Sequence, residues 1–231
     1  DWLKVFEDAT DRDLSQFKLW YSEAGTPRLK VTDHWDDGVY TLTFTQTNPP
    51  TPGQPEKQPK VIPIKVGLLN PNGDEVVPTI MLEMTREKQS FRFEGLAAKP
   101  VPSILRGFSA PVILDRASSP EERAFLLAHD TDPFNRWESG RALAKEVLMG
   151  RADAAPLIEG LARVALDGSL DPAFRALALR LPGDDDMAAT MAAAGGEPDP
   201  DEIYAARRRL HLALAQKLAP QLPALSAPIA D

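Results

Sequence analysis

The chain has 231 residues, 43% of them hydrophobic and 26% charged, which is ordinary globular usage and excludes wholesale disorder. Its net charge of −8 argues against nucleic acid as the main partner, because phosphate binding needs a basic face. The absence of cysteine excludes disulfides, thiol catalysis and cysteine-ligated metal sites, and no apolar run approaches the roughly 18–20 residues of a membrane span.

Residues 1–26 predict two short helices. Apolar residues recur at three- and four-residue spacing from Trp2, and Asp13 with Gln16 forms a capping-box pattern that predicts a second helix from Leu14. The chain begins without methionine, inside an amphipathic pattern, which we interpret as a cut from a longer protein. Two short helices cannot bury their large aromatic side chains alone, so we expect them to need a partner surface. These side chains are Trp2, Phe6, Phe17 and Trp20.

Residues 27–116 are rich in proline and contain short runs in which apolar and polar residues alternate. Tyr40, Leu42 and Phe44 share one face of such a run. Short strands with a turn about every 10 residues are typical of an Ig-like antiparallel β-sandwich. The predicted strands are 39–47, 62–68, 75–84 and 89–94, with more in 101–114.

Three features of this region predict connections and irregularities. Pro63 inside the second predicted strand suggests an edge or a bulge, because proline cannot donate to a ladder. Asn70–Gly73 predicts a hairpin turn. The segment 49–59 has five prolines and little to bury, so we expect a mobile or extended loop.

Residues 117–231 are rich in alanine with periodic leucine, which predicts helices. Several predicted helices start with a capping side chain followed by proline. The caps are Ser119, Asp132, Asp171 and Asp199. The predicted helices are 120–129, 133–149, 154–166, 172–180, 185–194 and 200–219. This pattern favours an all-α, superhelical or solenoid-like array, and we interpret 220–231 as a truncation or a tail.

The sequence offers little for catalysis. A helical zinc site needs two ligands one turn apart, and His34, His129 and His211 are widely separated. We therefore expect a structural or solvated role for each histidine. His129 lies near a predicted helix end, where a cation meets the negative end of the dipole. We predict neither catalytic nor metal-binding residues in this chain.

Three polar segments and one aromatic residue have alternative interpretations. Asn70–Asp74 is superficially similar to a calcium loop, but a hairpin turn is the better interpretation. Asp184–Asp186 could bind a hard cation, yet acids are typical of a helix N-terminus. Arg207–Arg209 could bind phosphate or a carboxylate, although such a run is usually a solvated face. Trp137 lies on an apolar stripe that favours a core position.

Three longer stretches resemble bacterial aminopeptidase N, a family of gluzincin zinc metallopeptidases. They are D-L-S-Q-F-K-L-W-Y-S-E-A-G-T-P at 13–27, V-P-S-I-L-R-G-F-S-A-P-V at 101–112 and H-D-T-D-P-F-N-R-W-E at 129–138. The resemblance implies a multidomain α+β segment. Residues 1–26 would be the closing helices of the preceding catalytic domain. Residues 27–116 would be the β-sandwich domain, and 117–231 the N-terminal part of the C-terminal helical domain.

The family's metal motif H-E-x-x-H and its G-A-M-E-N motif are absent, and both would lie upstream of residue 1. In the whole enzyme the family mechanism uses zinc to polarise the scissile carbonyl, a glutamate to activate water and acidic groups to hold the substrate ammonium. The resemblance therefore implies zinc in the full-length enzyme and none bound by this segment. Substrate-binding residues are unknown, although Arg136 and residues 207–209 are conceivable contacts.

The leading hypothesis is a non-catalytic segment of a cytoplasmic zinc aminopeptidase that supports the catalytic domain and shapes its cavity. Its partners would be that upstream domain and peptide substrates, with no nucleic acid or membrane. The alternative is a stand-alone β-sandwich and helical-repeat module that binds proteins. A small hydrolase that holds its metal with carboxylates alone is a third, weakly supported possibility. The first two differ in whether the aromatic side chains of 1–26 are buried in this chain or exposed as a patch.

Overall fold

The structure, a computed structural model, describes residues 2–221 and 223. The chain divides into two compact units, Asp1–Ala117 and Ser118–Asp231. Most of the predicted tail at 220–231 lies outside the described residues.

The first unit begins with two helices and continues as two packed β-sheets. Helix α1 spans Trp2–Thr10 and α2 spans Leu19–Ser22. The strands are β1 Arg28–Asp36, β2 Val39–Thr47, β3 Ile62–Leu69, β4 Glu75–Met84, β5 Lys88–Phe93, β6 Val101–Ile104 and β7 Ile113–Asp115. Their order is β5-β2-β1-β7 in one sheet and β4-β3-β6 in the other. The predicted sandwich is confirmed, and β1 with β7 adds one parallel pair to otherwise antiparallel sheets.

The core of the sandwich follows from the two-residue period of its strands. Tyr40, Leu42 and Phe44 on β2 are fully buried, as the alternation predicts. They belong to one buried cluster with Ile62 and Ile64 of the facing sheet. The intervening threonines of β2 are only partly covered.

Pro63 occupies a locally unpaired side of β3. The strand is central in its sheet, but its pairing with β6 begins only at Val66. The missing N–H of Pro63 therefore removes no ladder hydrogen bond on that side. The register of β3 against β4 also shifts between Val66 and Leu68, so the strand contains a bulge-like irregularity beyond Pro63, but it is not an edge strand.

The predicted helix from Leu14 is wrong, because tertiary hydrogen bonds replace the capping box. Asp13 Oδ1 accepts the N–H of Ser15, at 2.8 Å. The Gln16 amide donates to the carbonyl oxygens of Pro59 and Thr85, at 3.0 and 2.7 Å. Residues 15–18 therefore form turns, and helix α2 begins only at Leu19.

Arg106 is a buried cation that the sequence did not predict. It is 2% exposed, donates to the hydroxyls of Ser103 and Thr79 at 2.8 Å each, and forms an ion pair with Glu75. The guanidinium crosses Gly67 so closely that a Cβ there would lie 2.1 Å from Arg106 Cζ. Glycine within β3 therefore provides the space for this cation.

The second unit is the predicted array of helices. They are α3 Pro120–His129, α4 Pro133–Leu148, α5 Ala154–Leu166, α6 Pro172–Ala178, α7 Asp184–Ala193 and α8 Pro200–Leu218. Each lies within two residues of its predicted bounds. The four predicted caps all accept backbone N–H groups of the first helical turn, which explains why these starts could be located.

Leu127 is the centre of the helical core. Its side chain is fully buried and lies against Gly140 and Gly160. A Cβ at these glycines would come within 2.9 and 2.6 Å of Leu127 side-chain atoms. Small residues on α4 and α5 therefore let both helices approach α3. Within residues 2–221 and 223, no helix combines the length and apolarity that crossing a membrane requires.

Candidate functional site

An aromatic surface at the start of the chain is the strongest candidate site. It is formed by Trp2, Val5, Phe6, Phe17 and Tyr21. Trp2, Val5 and Tyr21 are about two-thirds exposed, at 64%, 65% and 65%. The Trp2 ring centroid lies 4.7 Å from that of Phe6, its neighbour one turn along α1, and 6.4 Å from that of Tyr21. Contiguous exposed apolar side chains of this kind mark interaction sites.

A cavity of about 610 Å³ lies beside the aromatic surface. Leu3, Leu14 and Pro63 contribute to its apolar lining. Its charged members are Arg12, Asp13 and Glu83. Arg12 forms a salt bridge of 2.6 Å with Glu83 of β4. The site is therefore an apolar depression next to an exposed aromatic cluster.

Helix α1 has few contacts with the rest of the first unit. Only Leu3 is buried on it. Glu7 links α1 to the following turn by accepting the Leu14 N–H at 3.2 Å and by a 3.7 Å ion pair with Lys18. Since most of its apolar face is exposed, α1 gains little stability from the described part of this chain.

Helix α2 is attached much more firmly, through the buried side chain of Lys60. Lys60 is 1% exposed, and its Nζ donates to the Leu19 carbonyl and to Glu23 Oε2, both at 2.9 Å. The ammonium also lies 5.7 Å from the centroid of the Trp20 ring. Trp20 Nε1 donates to the Val61 carbonyl at 2.7 Å. A buried ammonium requires such partners, so this contact fixes α2 against the sandwich.

The proline-rich segment 49–59 contributes the rest of this attachment. The amide of Gln54 donates to the Ser22 carbonyl and accepts the Ala24 N–H, both at 2.8 Å. Lys57 Nζ donates to the Ala24 carbonyl at 2.5 Å. The segment is a loop, as predicted, but its side chains also satisfy backbone groups that α2 leaves unpaired at its end.

The carboxyl of Glu23 is held in its charged form by this attachment. Burial alone would raise the pKa of Glu23, but hydrogen bonds from Lys60 and from the Gln58 N–H, with the charges of Lys60 and Lys57, hold the pKa below its ordinary value. The Gln58 N–H donates to Glu23 Oε1 at 3.2 Å. Glu23 and Lys60 therefore form a stable ion pair at neutral pH.

Comparison with known proteins identifies the context of this site. Residues 25–117 match a domain of unknown function (DUF3458) with an Ig-like fold, and residues 120–231 match a second one (DUF3458_C) made of ARM repeats. The chain is 34% identical to aminopeptidase N of Escherichia coli strain K12 over 245 residues, and 40% identical to that of Caulobacter vibrioides over 225 residues. The chain belongs to the aminopeptidase N family.

The match covers nearly all of this chain but a limited part of its relatives. It takes in 97% of this chain and 28% of the Escherichia coli protein, and 94% and 26% for the Caulobacter protein. A crystal structure of Legionella pneumophila aminopeptidase A in complex with aspartic acid is similar over 97% of this chain and 27% of its own, with a TM-score of 0.81 and 26% identity. The predicted resemblance is confirmed, and the chain aligns with the non-catalytic Ig-like and ARM-repeat part of the family.

The zinc that the sequence resemblance implies for the full-length enzyme does not fit the residues described here. Within 2–221 and 223, no group of three or more His, Asp or Glu side chains is placed to hold a metal ion. His34 is exposed on β1 and His211 is exposed on α8. We therefore derive no catalytic step from side chains of this chain.

His129 differs from the expectation of a charged side chain at a helix end. It is the last residue of α3, and its ring lies against Phe125 with the centroids 4.9 Å apart. Burial, followed by the charges of Arg163 and Arg136, lowers the pKa of His129. Desolvation and two nearby cations thus outweigh the helix dipole, whose negative C-terminal end would favour the protonated form of His129.

The predicted turn at Asn70–Asp74 is a hairpin connection. The Asp74 N–H donates to Asn70 Oδ1 and Asn72 Oδ1, at 2.9 and 3.1 Å. Gly73 has a φ of +98°, which favours glycine. The side-chain oxygens of Asn70 and Asn72 already accept backbone hydrogen bonds, and these bonds stabilise the turn from β3 to β4.

The acids of Asp184–Asp186 occupy the start of α7, as predicted. Asp186 forms salt bridges of 2.8 Å with Arg141 and with Lys145 of α4. Asp184 forms an ion pair with Arg207 of α8. These carboxylates therefore connect α7 with α4 and α8. Within the run 207–209, Arg207 has a structural contact.

Arg136 and Trp137, from the third stretch of resemblance, also have structural contacts. Arg136 is 8% exposed, and its Nε donates to the Leu127 carbonyl at 2.9 Å, near the end of α3. The core prediction for Trp137 is wrong, because its side chain is only half-buried. Arg141 lies over the ring, 5.3 Å from its centroid, where a cation is favoured.

Proposed function

We propose that this chain is the supporting part of a zinc aminopeptidase that removes amino acids from the N-termini of peptides. It would dock against a preceding catalytic domain and help to shape the cavity that peptides enter. The observation that carries the proposal is the exposed aromatic surface, which is fixed to the sandwich through α2. The limited share of each relative that this chain matches supports a further domain in the whole protein.

The proposed boundaries follow the aromatic surface. Residues 1–26 would be the closing helices of the catalytic domain, and 27–116 would be the β-sandwich beneath them. Residues 117–231 would be the N-terminal part of the C-terminal helical domain. Helix α1 buries only Leu3, so its other apolar residues are available to that preceding domain.

The attachment of α2 gives the docking surface a fixed position. Tyr21 lies on α2, between the carbonyl of Leu19 that binds Lys60 and the carbonyl of Ser22 that binds Gln54. The ring of Tyr21 therefore belongs to a segment with few remaining degrees of freedom. A surface ordered before docking loses less conformational entropy when it binds.

The chemistry of peptide hydrolysis would lie outside this chain. A bound zinc ion would supply Lewis-acid chemistry for the scissile carbonyl in the whole enzyme. The described side chains here would contribute docking and the shape of the cavity. We place the enzyme in the cytoplasm, because a chain without cysteine fits a reducing compartment.

A stand-alone protein-binding module is the alternative. That hypothesis expects the aromatic side chains near the N-terminus to be buried within the chain. Trp2 and Tyr21 are instead 64% and 65% exposed, which favours the docking proposal. Trp20 does contribute to the sandwich, since it packs against the core cluster there.

The proposal is tested in two steps. The coding sequence that precedes Asp1 is expected to contain H-E-x-x-H and G-A-M-E-N, and a gene without them would contradict the proposal. The 231-residue polypeptide is then assayed with an amino-acid p-nitroanilide and added zinc. We expect no turnover, whereas a rate typical of enzymes, with a kcat of about 1 per second or more, would refute the non-catalytic role.

A further inference from the structure

A second cavity, of about 590 Å³, lies within the helical unit. Arg136, Arg163 and Lys217 bring three cationic groups to its lining, against the two carboxylates of Glu159 and Asp167. The whole chain has a net charge of −8, so a cavity with an excess of positive charge is unusual for it. Such an excess favours an anionic ligand.

Both carboxylates of this cavity already have partners. Glu159 forms an ion pair with Lys217. Asp167 accepts hydrogen bonds from the N–H and the hydroxyl of Ser169, at 3.0 and 2.5 Å, and lies 3.7 Å from Arg136. Each acid therefore offsets at most one cation, which leaves one positive charge in excess.

That remaining charge is on Arg163. Within 2–221 and 223 it has no ion-pair partner, and its side chain is exposed at the cavity. Arg163 lies in the last turn of α5, where a cation also stabilises the helix dipole. The dipole interaction leaves the N–H groups of the guanidinium available to a bound oxygen ligand.

Apart from Gln221, the rest of the lining is apolar. Ala128, Ala162 and Leu166 contribute methyl and isobutyl groups to it. An inorganic anion would gain nothing from these groups, whereas a short hydrocarbon chain would bury apolar surface on them. The combination matches an organic acid with a small aliphatic part.

The neighbouring histidine supports an excess of positive charge here. After burial, the charges of Arg163 and Arg136 are the causes that lower the pKa of His129. Burial lowers the pKa of Arg136 itself, whereas the nearby charges of Asp167 and Asp130 raise it. These carboxylates do not remove the effect of the two arginines on His129.

We propose that this cavity binds the carboxylate group of a small aliphatic acid, with Arg163 as its principal hydrogen-bond donor. Arg136 would add charge from the cavity wall, while remaining bound to the Leu127 carbonyl. The aliphatic part of the ligand would lie against Ala162 and Leu166. The site is separate from the aromatic surface, and it does not depend on the proposed docking function.

The test is a nuclear magnetic resonance titration of the full chain with potassium propionate at constant ionic strength. We expect saturable shifts at the amides of Ala128, Ala162 and Leu166, together with a rise in the pKa of His129, because a bound anion offsets the arginine charge. The variant Arg163→Gln should weaken binding about tenfold or more, the factor that one charge-assisted hydrogen bond provides. Arg163→Lys keeps the charge and should bind better than Arg163→Gln.

The matched control is Arg208→Gln, which removes an exposed arginine of α8 that does not line the cavity. This variant should bind propionate as the parent chain does. Absence of saturable shifts would overturn the proposal, as would equal binding by Arg163→Gln. Tighter binding of inorganic phosphate than of propionate would overturn the assignment to an organic acid.

Discussion

Lys60 Nζ and Glu23 Oε2 lie 2.9 Å apart, and the Lys60 side chain is only 1% exposed. This buried ion pair joins the end of the proline-rich loop to the residue that follows α2. It positions Tyr21 of the aromatic surface relative to the sandwich.

Replacement of Lys60 by methionine should destabilise the first unit by about 3 kcal/mol, because Glu23 would keep a poorly solvated charge without its partner. Chemical denaturation followed by tryptophan fluorescence measures the change, since Trp20 lies beside the ammonium. Lys65→Met is the matched control, because Lys65 is an exposed lysine on β3. Equal effects of the two variants would contradict the role assigned to Lys60.

The ion pair between Glu23 and Lys60 should make the free energy of unfolding depend on pH. The pKa of Glu23 is lower in the folded chain than its ordinary value of about 4.3, so its contribution is fully present above that value. The contribution is lost as the pH falls through the folded pKa. The variant Glu23→Gln should therefore lose less stability on acidification than the parent chain. Unfolding curves measured at a series of acidic pH values test this, and parallel losses would contradict it.

Replacement of Gly67 by alanine should destabilise the sandwich by about 3 kcal/mol or more. The new Cβ would displace the buried Arg106 guanidinium from its hydrogen bonds with Ser103 and Thr79 and from its ion pair with Glu75, which leaves a buried charge poorly compensated. Gly168→Ala serves as the control, because a Cβ at Gly168 meets nothing within 4 Å. Differential scanning calorimetry should show a lower Tm for the first variant only. An unchanged Tm would show that Arg106 can move without cost.

A double-mutant cycle tests the close approach of α5 to α3. Gly160→Ala alone should cost about 1–3 kcal/mol, since its Cβ would come within 2.6 Å of Leu127. In a Leu127→Ala background the same change should cost less, because the obstructing side chain is gone. The coupling free energy from urea unfolding should therefore differ clearly from zero. Additive effects would indicate that another contact limits this packing.

Local sequence signals predicted the helical unit well. Ser119, Asp132, Asp171 and Asp199 each cap a helix with their own side chain, so the information for each start lies within a few residues. Most strands were predictable for the same reason, because alternate burial on β2 needs only a two-residue period. The strand β1 at Arg28–Asp36 was not among the predicted strands. The glycine-bearing turn at Asn70–Asp74 is equally local.

The features that depend on distant residues could not be predicted. Gln16 has the right spacing for a capping box, but its amide binds the carbonyls of Pro59 and Thr85 instead. Lys60 is one lysine among many in the sequence, and nothing local indicates that it is buried beneath Trp20. The parallel pairing of β7 with β1 likewise joins the two ends of the sandwich sequence. Such contacts form only once the sheets exist.

The central claim is that the aromatic surface docks against a preceding domain. Hydrogen–deuterium exchange of the α1 amides, compared between this chain alone and the full-length protein encoded by its gene, tests the claim most directly. We predict strong additional protection of residues 3–10 in the full-length protein, with β2 and β3 unchanged as internal controls. Equal exchange of residues 3–10 in both proteins would contradict the docking role.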